Sequence, residues 1–161
     1  MAHRNDLDAT DRRLLQLLVA DGRASYQALA DQVGLSRPAV MERVKGMEEA
    51  GYISGYAARL DRAKTGYPVT AFVAVRYASH NIDGNEPAMR DPASHPGVLE
   101  CHHVAGDDCY ILKVAAPDLD GVQTLLRQLT AASGGGNVTT KTTIVLGTLF
   151  EKPGLVPREL D

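Results

Sequence analysis

Up to Gly51, apolar residues recur at the three- and four-residue spacing of helices that bury one face. Leu14, Leu15, Leu17, Leu18 and Val19 form one stripe with Asp11, Arg12, Arg13 and Gln16 opposite, which predicts a first helix over 8–21. Asp8 and Asp11 have the spacing of a cap and put negative charge at the positive end of that helix, and Gly22 stops it. Ser25 caps a shorter second helix reaching Val33, with Tyr26, Leu29, Ala30 and Val33 inward and Gly34 suited to a left-handed exit. After the turn Gly34-Leu35-Ser36, a third helix is predicted over 36–50. Ser36 is its cap, Pro38 lies in its first turn, Val40, Val44 and Met47 form its core stripe, and Gly51 ends it. Residues 52–61 read as two short strands turning at Ser54-Gly55, a wing.

From Pro68 the period changes. Val69, Ala71, Val73 and Val75 alternate with Thr70, Phe72, Ala74 and Arg76, a strand that reads as buried on both faces. Gly84, Pro87, Pro92 and Pro96 restrict any helix in 78–96 to short pieces around 86–93. Strands over 98–104 and 109–115 flank the turn Ala105-Gly106-Asp107-Asp108. Asp118 caps a helix to Ala132 with Leu119, Val122, Leu125, Leu126 and Leu129 as its stripe; Gly134-Gly135-Gly136 closes it, and the Thr- and Val-rich stretch 138–150 supplies a last strand. The order strand, helix, strand, strand, helix, strand is the split arrangement of ferredoxin-like folds. The predicted class is α+β. A winged helix-turn-helix over 1–62 joins through a linker at 63–67 to a ferredoxin-like domain over 68–150, with a tail over 151–161.

Composition adds bounds. The 161 residues are 44% hydrophobic and 23% charged, ordinary globular usage. No apolar run nears the roughly 20 residues of a membrane span, and the first residues lack the apolar core of a secretory signal, so a cytoplasmic location is expected. Cys101 and Cys109 are then expected to be reduced thiols.

Two helices joined by a short Gly-containing turn form a helix-turn-helix, whose second helix enters the DNA major groove. Ser36, Arg37, Met41, Arg43 and Lys45 fall outside the core stripe of that helix, where arginine reads guanine edges and Glu42 can accept from cytosine. Arg59 and Arg62 would meet phosphates from the wing. A charged helix face that is merely solvated is the competing reading. Net charge is −3, and up to Arg62 nine basic residues face nine acidic ones, so the lobe has no basic surplus. A dimer presenting two such helices one turn apart multiplies a weak basic face.

The motifs Leu7-Asp8-x-x-Asp11, Asp21-Gly22-Arg23, Leu29-Ala30, Gly34-Leu35-Ser36, Val40-x-x-Arg43-Val44-Lys45 and Glu48-x-x-Gly51-x-Ile53-x-Gly55-Tyr56 resemble the Lrp/AsnC, or feast/famine, regulators over nearly the whole chain. Gly46 and Met47 depart from the pattern, where a basic residue and Leu are usual. The resemblance implies a transcription regulator of double-stranded operator DNA. It also implies a sensing domain that dimerises through its sheets, often assembles into an octamer, and binds a small effector, commonly an amino acid, between dimers beside the loop Gly106-Asp107-Asp108.

That loop has its own chemistry. Gly106 permits close backbone approach and Asp107 or Asp108 can pair an α-ammonium group, although a plain hairpin turn explains the same residues. Tyr110, Thr140 and Thr142 are hydroxyl-bearing neighbours that could bind a carboxylate or simply decorate strands. Glu100, Cys101, His102, His103, Asp107, Asp108 and Cys109 crowd the same hairpin, but strand alternation splits them into two incomplete donor sets, so no metal and no cofactor is expected. Sirohaem decarboxylases share the two-lobe plan, and the His pair could protonate a macrocycle. A many-carboxylate substrate would have few cationic side chains to meet it, Arg76, Lys113, Arg127 and Lys141 among them, so a non-enzymatic regulator is the favoured reading.

Overall fold

The computed structural model describes residues 7–77, 96–132, 138–152 and 154–155. The chain divides into two compact units, one running to Arg59 and resuming at Phe150, the other Leu60–Leu149.

In the first unit, α1 (Ala9–Ala20), α2 (Tyr26–Val33) and α3 (Arg37–Glu49) begin where the caps predict. The Asp11 amide donates to Asp8 Oδ1 at 2.8 Å and the Asp8 amide returns a bond to Asp11 Oδ2 at 3.2 Å, closing a reciprocal capping box. Ser25 and Ser36 accept from the amides of Ala28 and Ala39, and Gly34 takes the left-handed conformation with φ of 69°. Leu14, Leu29, Val40 and Val44 meet in a core that also holds Leu15, Ala30 and Met47. Each of the Leu, Val and Met side chains contributes about 1.5–3 kcal/mol on leaving water.

Gly46 lies exposed in the interior of α3, and a methyl group built there meets nothing within 4 Å. Gly46→Ala is therefore expected to raise the stability of this unit by about 0.5–1 kcal/mol in urea melts, the ordinary helix-propensity difference.

The predicted wing does not form: residues 52–60 pair in no β-ladder. After Gly55, Tyr56-Ala57-Ala58 offers neither β-branched residues nor a clean alternation, and an isolated two-stranded hairpin is marginal in any case. Side-chain contacts hold the segment instead. Ile53 packs on the helical core, and the Tyr56 hydroxyl donates to Glu48 Oε1 at 2.9 Å, with burial and then Glu48 pushing the phenol up to about 12. Past Phe150 the chain returns to this unit, where Arg59 Nη2 donates to the Glu151 carbonyl at 3.0 Å and Gly154 lies beside Val19.

The second unit is a four-stranded antiparallel sheet in the order β2-β3-β1-β4 with a helix against one face. Its elements are β1 (Val69–Tyr77), β2 (Val98–His103), β3 (Tyr110–Ala116), α4 (Leu119–Ala132) and β4 (Val138–Ile144). The strand order is that of the ferredoxin-like plan. Its first helix, expected around 86–93, and the glycine run at 134–136 lie outside the described residues. Val73, Val75, Leu112 and Val114 bury against Leu125 and Leu129 of α4. Asp118 accepts from the Gly121 amide at 2.7 Å and starts that helix.

Two sequence expectations change here. β1 is not buried on both faces, since its inner residues are dry while Phe72 on the outer face is 43% exposed and Arg76 is exposed too. β4 stops at Ile144 rather than running to 150, because the alternating Thr run that pairs with β1 gives out and Gly147 follows.

Candidate nucleic-acid and effector sites

On α3, Arg37, Met41, Glu42 and Lys45 are exposed, and at 100° per residue Arg37 and Lys45 lie within about 40° of Met41. Among the described residues Arg37 has no ion-pair partner, while Lys45 makes a loose pair with Glu49 at 3.5 Å. The Ser36 hydroxyl is occupied by its cap, and Ser36 stands at the helix N-terminus, where backbone amides favour phosphate. Arg43 differs from the other basic groups. Its Nη1 sits 2.7 Å from Asp8 Oδ2 and 2.8 Å from Asp11 Oδ1. The Asp11 amide, and after it Arg43, hold the Asp8 carboxyl below the ordinary aspartate range. Arg59, expected on phosphate from a wing, spends a guanidinium N–H on the Glu151 carbonyl.

In the second unit, the β2–β3 turn carries Gly106 with φ of 141°, in the region that favours glycine. The turn is fastened to the sheet by the Cys109 amide, which donates to the Val75 carbonyl at 2.9 Å. Asp107 and Asp108 both face Arg76 Nη2, at 3.7 and 3.8 Å. Arg76 went unassigned to this site in the sequence, because only the strand register brings it to the turn. Tyr110 pairs with Val75, which pairs on its other side with Thr140, so these residues share one row beside the turn. Tyr110 is buried there, against the rings of Tyr77 and His103. Thr142 lies one row further on, opposite Val73, and both threonines are half-buried.

The polar hairpin residues divide as strand alternation requires. Glu100 bonds His102 Nε2 at 3.0 Å and Lys113 Nζ at 3.2 Å, and these two partners, His102 first, hold its carboxyl below the usual range. Cys101 packs instead on the core, where burial pushes its thiol up. Both cysteines are free thiols. Among the described residues no three metal-ligating side chains converge. At the opposite end of β3 a cleft of about 500 Å³ opens between Tyr67, Gly97, Pro117 and α4, with Thr124 and Gln128 on its wall.

A helix-turn-helix unit joined to a helix-backed antiparallel sheet defines a DNA-binding regulator with a separate sensing domain. Comparison makes this specific. Residues 7–48 match the AsnC-type helix-turn-helix domain and residues 70–155 match the Lrp/AsnC ligand binding domain, and the chain belongs to the Lrp/AsnC family. It is 34% identical over 151 residues to the HTH-type transcriptional regulator LrpA of Mycobacterium tuberculosis, covering 94% of this chain and 97% of that one. It is 33% identical to the leucine-responsive regulatory protein of Escherichia coli, over 94% and 92% of the two chains. A feast or famine regulatory protein of M. tuberculosis, solved with L-methionine, superimposes with a TM-score of 0.84 at 34% identity over 94% of this chain and 100% of that one. These relatives are transcription regulators, which decides against the decarboxylase alternative; the protein is a DNA-binding regulator and not an enzyme. Among the described residues no helix is long and apolar enough to cross a membrane.

Proposed function

We propose that this regulator reads operator DNA with Arg37, Met41, Glu42 and Lys45 of α3, assisted by backbone amides at Ser36, and responds to a free amino acid held beside Gly106-Asp107-Asp108. The observation that carries the effector half is the turn itself. Two carboxylates stand at one loop over a guanidinium, the charge pattern that complements a zwitterion: Asp108 and Asp107 for the ammonium, Arg76 for the carboxylate. The solved relative with L-methionine, and a Neisseria meningitidis regulator also solved with it at 26% identity and a TM-score of 0.84, support an amino acid as the class. Thr140 and Thr142 are in register with Val75 and Val73, on the helix-covered face of the sheet and not on that of Arg76, so they form no part of this charge pattern, and Tyr110 supports the turn from the core.

The outer face of the sheet, with Phe72, Ala74 and Ile111 in register, supports dimerisation face to face. The dimer, assembled further into an octamer, would bind pseudo-palindromic operators in the cytoplasm. Arg59 is then a contact of the DNA unit with its own tail, and reaches phosphate only if that bond opens.

Calorimetric titration of the full chain with each amino acid tests the effector half. At least one, with methionine and leucine first, is expected to bind. Asp108→Ala is expected to remove that heat, and Arg76→Ala to weaken it at least about tenfold, the scale of a lost charged contact. Undiminished binding by Asp108→Ala would take the turn out of the site.

A further inference from the structure

The Lys and Arg residues of α3 fall on two different flanks. Arg37, Met41 and Lys45 share one, whereas Arg43 lies about 200° around the helix from Met41. From there its guanidinium crosses to α1, 35 residues earlier at Asp8 and 32 at Asp11, and a single nitrogen, Nη1, joins both carboxylates at 2.7 and 2.8 Å. Those carboxylates are themselves immobilised. Asp8 Oδ1 takes the Asp11 amide and Asp11 Oδ2 takes the Asp8 amide, so four groups at the N-terminus of α1 form one closed set. Asp11 is only 18% exposed, which limits the solvent screening that makes most surface pairs inconsequential.

We propose that Arg43 is a positioning residue. It fixes the rotation and tilt of α3 against the capping box of α1, so that Arg37 and Lys45 meet the groove, and it contacts neither base nor phosphate itself. To reach a guanine it would have to leave two anions and turn to the other flank of the helix. The capping box has a second role as the anchor of the reading helix. This also accounts for acidic residues in a lobe that must approach DNA: Asp8 and Asp11 are held by Arg43 and do not act as bare negative charge. The proposal rests on the reading of α3 as the DNA-contacting helix.

The test measures operator affinity of the full chain against salt, on the wild-type site and on sites mutated one base pair at a time. The variants are Arg43→Ala, Asp8→Asn/Asp11→Asn, and the three changes together. Asparagine keeps the capping ability of position 8, so the paired variant stays folded even if Arg43→Ala does not, and thermal unfolding reports on each. On field alone, neutralising two acids strengthens binding to a polyanion. The positioning role predicts the reverse, a roughly fivefold to tenfold loss with the folded state intact, on the scale of one displaced base contact. Arg43→Ala should show the same loss, spread across the half-site, with an unchanged salt slope, and the triple variant should be no worse than either. A slope lowered by about one, or a loss confined to one base pair, would make Arg43 a direct contact and overturn the proposal. Paired Asn variants that bind as well as wild type, or better, also overturn it. Arg37→Ala/Lys45→Ala separates the underlying reading: if that variant binds normally, α3 is not the reading helix and the proposal falls with it.

Discussion

Leu14→Ala is expected to cost the helical unit about 2–5 kcal/mol, the usual range for emptying a fully buried leucine site. Leu14 is 0% exposed and lies with Leu29, Val40 and Val44, which come from the other two helices. A small domain has only about 5–15 kcal/mol in total, so a loss of this size brings the unit near its unfolding threshold. Urea unfolding followed by far-UV circular dichroism should split, with an early helical transition and a later one from the sheet unit. Operator affinity should fall in step with the early transition. A single transition at the wild-type midpoint would mean that Leu14 does not hold these helices together.

The second large effect is on recognition. Arg37→Ala should weaken operator binding by about 1–3 kcal/mol, roughly fivefold to 150-fold, if Arg37 reads a base edge. The loss should be greatest at one base pair of each half-site. Lys45→Ala should act differently, weakening all sequences alike and lowering the salt slope by about one, because a flexible ammonium contacts phosphate as a point charge. Fluorescence anisotropy over a salt series distinguishes the two. Because the lobe is close to neutral over its length, few contacts share the work, and each removal should be felt. Retention of full affinity by both variants would place the reading surface elsewhere.

Features set by neighbours in sequence are legible in the sequence alone. The caps at Asp8, Ser25 and Ser36, the left-handed exit at Gly34 and the core stripe Val40, Val44 and Met47 all follow from spacing within one or two helical turns. The turn at Gly106 is legible for the same reason. What depends on distant partners is not. Arg43 has the composition of a base reader, and only the packing of α3 on α1 reveals its two aspartates. Arg76 joins the β2–β3 turn through a β1 register that the alternating pattern leaves undetermined. The wing expectation rests on a Gly-containing turn between short apolar stretches, and such a pair is marginal as a hairpin; contacts of Ile53 and Tyr56 with the helices hold the segment without a ladder. The expected length of β4 exceeds the observed one because Val145 and Leu146 keep the composition of a strand, whereas the ladder to β1 ends at Ile144 with one further bond, from the Val145 amide to the Thr70 carbonyl.

The return of the chain at Phe150 makes the sensing domain topologically an insertion, since the helical unit supplies chain on both sides of it. Two covalent crossings, one after Arg59 and one before Phe150, therefore link the domains. A chain cut after Leu149 would therefore not lose a free end: it would take from the helical unit the carbonyl that Arg59 holds and the stretch whose Gly154 lies against Val19.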